Sequence, residues 1–163
     1  REVPQGEDGE LAARGAGMFL GYADEAQNRE AHTDDGFFLT GDIGHVSADG
    51  AVVITDRKKD IIIRGGENLS AKEIETVLHL HPGIREAAVV SMPHERLGEG
   101  FCAFLIPSDS ADGLDLAAVI EFTERHGLAR QKTPERVEIV VDLPMTPSGQ
   151  IRKDQLRKRL WPS

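Results

Sequence analysis

Thr55-Asp56-Arg57-Lys58-Lys59-Asp60-Ile61-Ile62-Ile63-Arg64-Gly65-Gly66-Glu67-Asn68-Leu69-Ser70 is the stretch from which the fold can be read. Its basic turn, Arg57-Lys58-Lys59, can meet an anion. Ile61, Ile62 and Ile63 are β-branched and suit a short buried strand. Gly65 and Gly66 permit positive φ or the close approach of another molecule to the backbone. Ser70 and Glu73 have the spacing of a capping box, which places a helix start at Ala71. Taken alone, the stretch is a hairpin running into a helix.

Upstream of it the chain reads as β-structure with tight turns. Asp8-Gly9, Asp35-Gly36 and Asp49-Gly50 are turn dipeptides, each followed by strand-like residues. Residues 43–47 and 51–55 should pair as a hairpin around residues 48–50. Residues 24–33 are polar and suit one helical turn or more. Residues 1–56 are not expected to hold a full core of their own.

Downstream the pattern is mixed. A helix is expected over 71–80, with Ile74, Val77 and Leu78 on one face and Pro82-Gly83 as its stop. Strands follow at 87–92 and 100–106, then a polar loop at 107–113. A second helix spans 116–126, with Leu116, Val119, Ile120 and Thr123 at helical spacing. A third strand covers 137–141, a Pro-Ser-Gly loop 143–150, and a last helix 153–160. The sum is an α+β fold: a β-rich N-terminal segment over 1–58, then a small sheet-plus-helices domain over 59–163.

Composition narrows the function. Of the 163 residues, 39% are hydrophobic, enough for a packed core without metal or disulfides. The one cysteine, Cys102, lies in an apolar run and reads as a core thiol. No disulfide can form within the chain, which fits a reducing cytoplasm. No run is long enough for a membrane span and no signal peptide is visible. The chain opens on Arg1 rather than methionine, which reads as a fragment or a processed product. A net charge of -9 argues against nucleic acid as a partner. The cations are nevertheless bunched at 57–64 and 152–159, which suits a small phosphorylated ligand or a solvated helix face. His45, His79, His81, His94 and His126 show no ligand spacing, so no metal site is expected.

Three further motifs flank the central stretch: Gly6-Glu7-Asp8-Gly9-Glu10-Leu11 through Gly21-Tyr22, then Gly36-Phe37-Phe38-Leu39-Thr40-Gly41-Asp42, then Leu143-Pro144-Met145-Thr146-Pro147-Ser148-Gly149-Gln150-Ile151. In this order the four motifs resemble the last third of the acyl-adenylate-forming enzymes: acyl-CoA synthetases, peptide synthetase adenylation domains and luciferases. The resemblance covers nearly the whole chain. It implies the C-terminal part of an acyl-CoA synthetase, which uses ATP with Mg2+ to activate a carboxylic acid and then transfers it to coenzyme A. Residues 1–58 would be the tail of a large N-terminal domain that carries the phosphate loop and acyl pocket. Without that domain the chain is not expected to catalyse the reaction.

The same resemblance assigns roles. Asp42 falls on the family's ribose-binding aspartate, although local sequence alone favours a turn aspartate bonding its own backbone. Arg57 falls on the arginine that contacts the ribose and phosphate end of the adenylate. Lys59 falls on the hinge about which the C-terminal domain rotates between half-reactions. Gly65 and Gly66 fall on the loop lining the pantetheine tunnel, where bare backbone can lie against a thin substrate. Gln150 departs from the pattern, because the family places there a lysine that bridges the substrate carboxylate and phosphate. Losing such a donor costs on the order of 10²- to 10³-fold in rate. Adenylation is therefore in question and thioester formation is not. A deliberate substitution, a specialised natural enzyme, or charge supplied by Arg152 from the same strand face would each account for it. The string Gly65-Gly66-Glu67-Asn68 and the absence of a following carrier-protein serine motif lean toward coenzyme A ligases. The resemblance to that family also implies fatty acid metabolism. The alternatives are an enzyme loading a carrier-protein thiol and a non-catalytic interaction domain that keeps the fold.

Overall fold

In the computed structural model, which describes residues 2–109, 111 and 113–161, the central stretch forms the expected hairpin and helix. Strand β4 (Ile61–Arg64) and strand β5 (Glu67–Ser70) pair antiparallel from Ile61 opposite Ser70 to Arg64 opposite Glu67. Gly65 (φ 60°) and Gly66 (φ 88°) are the whole loop between them. Two central residues with positive φ make a type I′ turn, whose twist matches that of the strands it joins. The isoleucine run is not buried throughout. Ile62 faces the core, Ile61 is half-buried and Ile63 is 56% exposed, because alternate residues of a strand face opposite ways.

Helix α2 (Ala71–Leu78) starts where the capping box placed it. The Glu73 amide donates to Ser70 Oγ at 3.1 Å, while the Glu73 carboxylate takes Lys132 Nζ at 2.6 and 2.7 Å. The helix ends two residues earlier than the periodicity suggests. The His79 amide still donates to the Glu75 carbonyl, and Leu80 is exposed.

The chain divides into two compact units, Arg1–Lys59 and Asp60–Ser163. The first is a three-stranded antiparallel sheet of β1 (Gly9–Ala13), β2 (Phe38–Val46) and β3 (Val52–Arg57), in that order. Helix α1 (Glu25–Ala31) joins β1 to β2, and its Ala26 amide donates to the Asp24 side chain at 2.9 Å. Among the described residues this unit holds no buried apolar side chain outside glycine, as its sparse hydrophobic pattern implied.

The second unit holds the core. Strands β6 (Ile84–His94) and β7 (Gly98–Pro107) pair antiparallel along their full length. They are longer than the apolar runs indicated, because ladder pairing continues past the last buried side chain. The other edge of β7 is shared. Strand β4 meets it at Gly98, and β8 (Arg136–Ile139) pairs with residues 102–105 in parallel after the crossover helix α3 (Leu116–Arg125). The loop expected at 107–113 includes positions 110 and 112, which lie outside the described residues.

Apolar layers form on both faces of the β6–β7 sheet. On one, Ala87, Val89, Phe101, Ala103 and Leu105 pack with Ile74, Leu78 and Val119 of the two helices. On the other, Ala88, Val90, Cys102 and Phe104 pack with Leu143 and with Leu156 of helix α4 (Lys153–Leu160). Full burial pushes the Cys102 thiol up to about 12, as suits a core cysteine.

Candidate functional site

Asp42 is not a turn aspartate. It lies inside β2, directly opposite Arg57 of β3, and its Oδ1 accepts from Arg57 Nε at 2.6 Å. Its own amide is held by Thr40 Oγ1 at 3.1 Å. The carboxylate is 21% and the guanidinium 50% exposed, so both can reach a ligand while they support each other. An acceptor for two vicinal hydroxyls therefore sits beside a cation suited to a phosphate.

The basic turn that follows is largely paired within the protein. Lys58 meets Glu10 at 2.6 Å and Arg64 meets Glu135 at 2.6 Å. Arg57, Lys58 and Arg64 each have a carboxylate partner remote in sequence. Lys59 sits in the 3-10 turn Lys58–Asp60 and is the last residue of the first unit.

Asp60, the next residue, is ion-paired with Arg157 of α4. Beside it the Glu75 carboxylate accepts from Lys153 Nζ at 2.7 Å and from the Val89 amide at 2.6 Å. Burial pushes the Glu75 carboxyl above the ordinary glutamate value. Lys153 opposes that shift and the nearby Asp60 adds to it. Lys153 and Arg157 thus fasten α4 to the body of the unit, while Lys158 and Arg159 of the same basic tail are exposed.

Gly65 and Gly66 form the tip of the β4–β5 hairpin, and the Gly65 amide donates to the Leu97 carbonyl at 2.9 Å. Nothing lies within 4 Å of where a Gly66 Cβ would stand, whereas a Cβ at Gly65 would meet Leu97 Cδ2 at 3.3 Å.

Gln150 is held by its backbone. The Gly149 amide donates to the Thr146 carbonyl, the Gln150 amide to Thr146 Oγ1, and the Thr146 amide to the Gln150 carbonyl. With Pro147 second in the turn and Gly149 at φ 83°, this is a type I turn closed by a left-handed glycine. Met145 and Ile151 bridge its base. Leu143 and Ile151 pack into the apolar layer beneath α4. The Gln150 side chain is exposed and makes no hydrogen bond among the described residues. The strand face that Arg152 was expected to share with it does not form. Arg152 is the N-cap residue of α4 and bonds Asp154 at 3.2 Å, because Lys153 already begins the helix.

Sequence reasoning missed Glu135, Glu99, Glu75 and Lys153. Each partners a group 14 to 78 positions away in the chain, a distance that no local pattern encodes. Among the described residues, no group of three or more His, Cys, Asp or Glu could hold a metal ion, and no helix is long and apolar enough to cross a membrane.

The model of the AMP-binding enzyme C-terminal domain family matches residues 73–150. A medium-chain fatty-acid–CoA ligase of Escherichia coli is 42% identical over 97% of this chain and 28% of its own length. The chain carries the C-terminal domain of the AMP-binding enzymes. It corresponds to their C-terminal part and spans about three-tenths of the length of the curated relatives it matches. A second such ligase, the 2,3-dihydroxybenzoate-AMP ligase of Bacillus subtilis, is 43% identical over 98% of the chain and 30% of its own length. Among solved structures, ATP-bound MatB from Rhodopseudomonas palustris superposes with a TM-score of 0.90 at 37% identity, over 98% of this chain and 31% of that one. Apo MatB, at the same identity and over 98% of this chain and 32% of that one, gives 0.65.

Proposed function

We propose that this chain is the C-terminal part of an ATP-dependent carboxylic acid:coenzyme A ligase. Residues 1–58 close the large adenylating domain, and 59–163 form the mobile C-terminal domain. The observation that carries the reading is the Asp42–Arg57 pair, a carboxylate and a guanidinium in register at 2.6 Å and both open to a ligand. Asp42 accepts the ribose hydroxyls of ATP, which enters with Mg2+. Arg57 steadies the phosphate end of the adenylate. The domain then turns about Lys59, and Gly65 and Gly66 receive the pantetheine arm, whose thiol displaces AMP from the acyl group. The different fit to the two crystals of MatB supports such a turn, since that protein differs in shape between them over the stretch matched here. Gln150 occupies the position of the adenylation lysine, so thioester formation is the half-reaction these residues best support. The single buried cysteine suits a cytoplasmic enzyme. The fatty-acid ligase among the relatives makes a fatty acid the first substrate class to test.

A carrier-protein thiol is the second reading. The 2,3-dihydroxybenzoate-AMP ligase and enterobactin synthase component E resemble the chain as closely as the fatty-acid ligase does, at 43% and 41% identity. The test supplies the full-length protein with preformed octanoyl- or 2,3-dihydroxybenzoyl-adenylate, together with either coenzyme A or a phosphopantetheinylated carrier protein. Thioester formation on coenzyme A supports the first reading and transfer to the carrier protein the second. Transfer to neither overturns both and leaves a domain that keeps the fold without the chemistry.

A further inference from the structure

The Gly65–Gly66 turn is weakly held by its own sheet. Strand β4 meets β7 at one register pair, Arg64 opposite Gly98. One residue before it, the Ile63 amide donates not to a ladder carbonyl but to the Glu99 side chain, Oε2 at 2.9 Å. Ile62 and Leu69 anchor the base of this two-stranded ribbon in the core, and at the turn the Gly65 amide donates to the Leu97 carbonyl at 2.9 Å. A side-chain cluster around Glu135 adds a tie beside the turn.

That cluster uses both oxygens of the carboxylate. Glu135 Oε1 accepts from Arg64 Nε at 2.9 Å and from Nη2 at 2.6 Å, and Arg64 Nη1 donates to the Gln131 carbonyl at 3.2 Å. Glu135 Oε2 accepts from the Phe101 amide at 2.9 Å. The two side chains are 19% and 24% exposed. Gly100 leaves the room. A Cβ there would stand 3.0–3.2 Å from the Glu135 carboxylate atoms, so the carboxylate fills space that any other residue at 100 would claim. Arg64 is the last residue before the turn, and the guanidinium fork sets its direction as well as its distance.

We propose that Arg64 and Glu135 are positioning residues. They latch the Gly65–Gly66 turn against β7 and so fix the wall along which the pantetheine thiol reaches the acyl-adenylate. The thiol part rests on the function proposed above. Nucleotide handling by Asp42 and Arg57 needs no part of the latch. Loss of the latch therefore impairs thiol transfer and spares adenylation.

The test uses full-length protein as Glu135→Gln, Arg64→Lys and Gly100→Ala. Glutamine keeps an acceptor for the Phe101 amide, so the strand ladder survives. Lysine keeps the charge and loses the fork. Alanine at 100 crowds the carboxylate without removing either partner. Two readouts are taken: hydrogen exchange of the Gly65 amide, with α2 amides as reference, and kinetics with preformed octanoyl-adenylate, the coenzyme A concentration being varied. ATP-pyrophosphate exchange is measured beside them. The expected result is at least tenfold faster exchange at Gly65 with α2 unchanged, and a KM for coenzyme A raised about tenfold or more. ATP-pyrophosphate exchange stays at its wild-type level, and Arg64→Lys retains more transfer than Glu135→Gln. Unchanged Gly65 exchange overturns the latch. Faster Gly65 exchange with an unchanged KM overturns its role toward the thiol. Equal losses in transfer and in ATP-pyrophosphate exchange overturn it as well, because they mark a general structural defect. If the wild type transfers to no thiol, the proposed function and the thiol part fall together, and Gly65 exchange alone decides the latch.

Discussion

Replacing Lys153 by methionine removes the cation facing Glu75 and keeps most of the apolar stem. The lysine and glutamate side chains are only 13% and 15% exposed, and the pair ties α4 to α2 at the start of the helix that follows the Gln150 turn. Breaking one side of a fully buried pair costs roughly 3–5 kcal/mol, and this pair keeps some contact with solvent, so the expected loss is about 2–3 kcal/mol. For a unit of about 100 residues that is a drop in Tm of about 10 °C. The loss depends on pH. Burial already holds the Glu75 carboxyl above its unfolded value, so the stability it contributes is complete below that value and declines as pH rises through the folded one. Without Lys153 the folded value climbs further and the declining limb extends toward neutrality. The variant should therefore be penalised most at pH 7.5 and recover toward wild type at pH 5. The assay is urea unfolding at both pH values, followed by fluorescence of Trp161, the one tryptophan of the chain. Its indole N–H donates to the Ser91 carbonyl at 3.2 Å and so reports on the end of α4. Glu75→Gln combined with Lys153→Met should regain most of the loss, since no uncompensated charge remains. A variant within about 0.5 kcal/mol of wild type at pH 7.5, or equally destabilised at both pH values, would refute the reasoning.

In the full-length protein, Gln150→Lys should raise ATP-pyrophosphate exchange by about 10²- to 10³-fold. It should leave stability unchanged, because the backbone holds the turn and the side chain is exposed; equal exchange in the two forms rejects the charge argument. Gly66→Ala should cost about 1–2 kcal/mol in chemical denaturation, since φ is 88° and there is no clash to add. Gly66→Asn should cost less, so a neutral alanine would contradict the type I′ turn. Cys102, with its thiol pushed up to about 12, should resist an aromatic disulfide reagent at pH 8 until the chain unfolds. Rapid labelling of the folded protein would show that the layer under α4 opens.

Much of the fold was written locally. Ser70, Asp24 and Asp115 each cap a helix through a side-chain oxygen, and polar residues ahead of helical periodicity announce this. Gly65-Gly66 sets a type I′ hairpin, and Pro147 with Gly149 sets a type I turn, because few other residues accept those angles. The helices α3 and α4 also followed from periodicity. The candidate site was legible where a motif is contiguous, as at Gly65 and Gly66 or at 146–150. Local reasoning put Asp42 in a turn because it weighed the residue's own preference. Arg57, which faces it across the ladder, lies fifteen positions away.

By itself, then, the sequence determined the turns, the caps and the alternation of elements. These rest on sterics and hydrogen bonds within a few residues of one another. Only the tertiary structure decided which acid meets which base. Glu135 reaches Arg64 across 71 positions and Lys153 reaches Glu75 across 78. It alone also decided that β8 runs parallel to β7, and that the far face of the sheet is closed by α4. Such pairings depend on strand register and on the reach of each side chain once the core has set the distances, and no window of sequence carries that information.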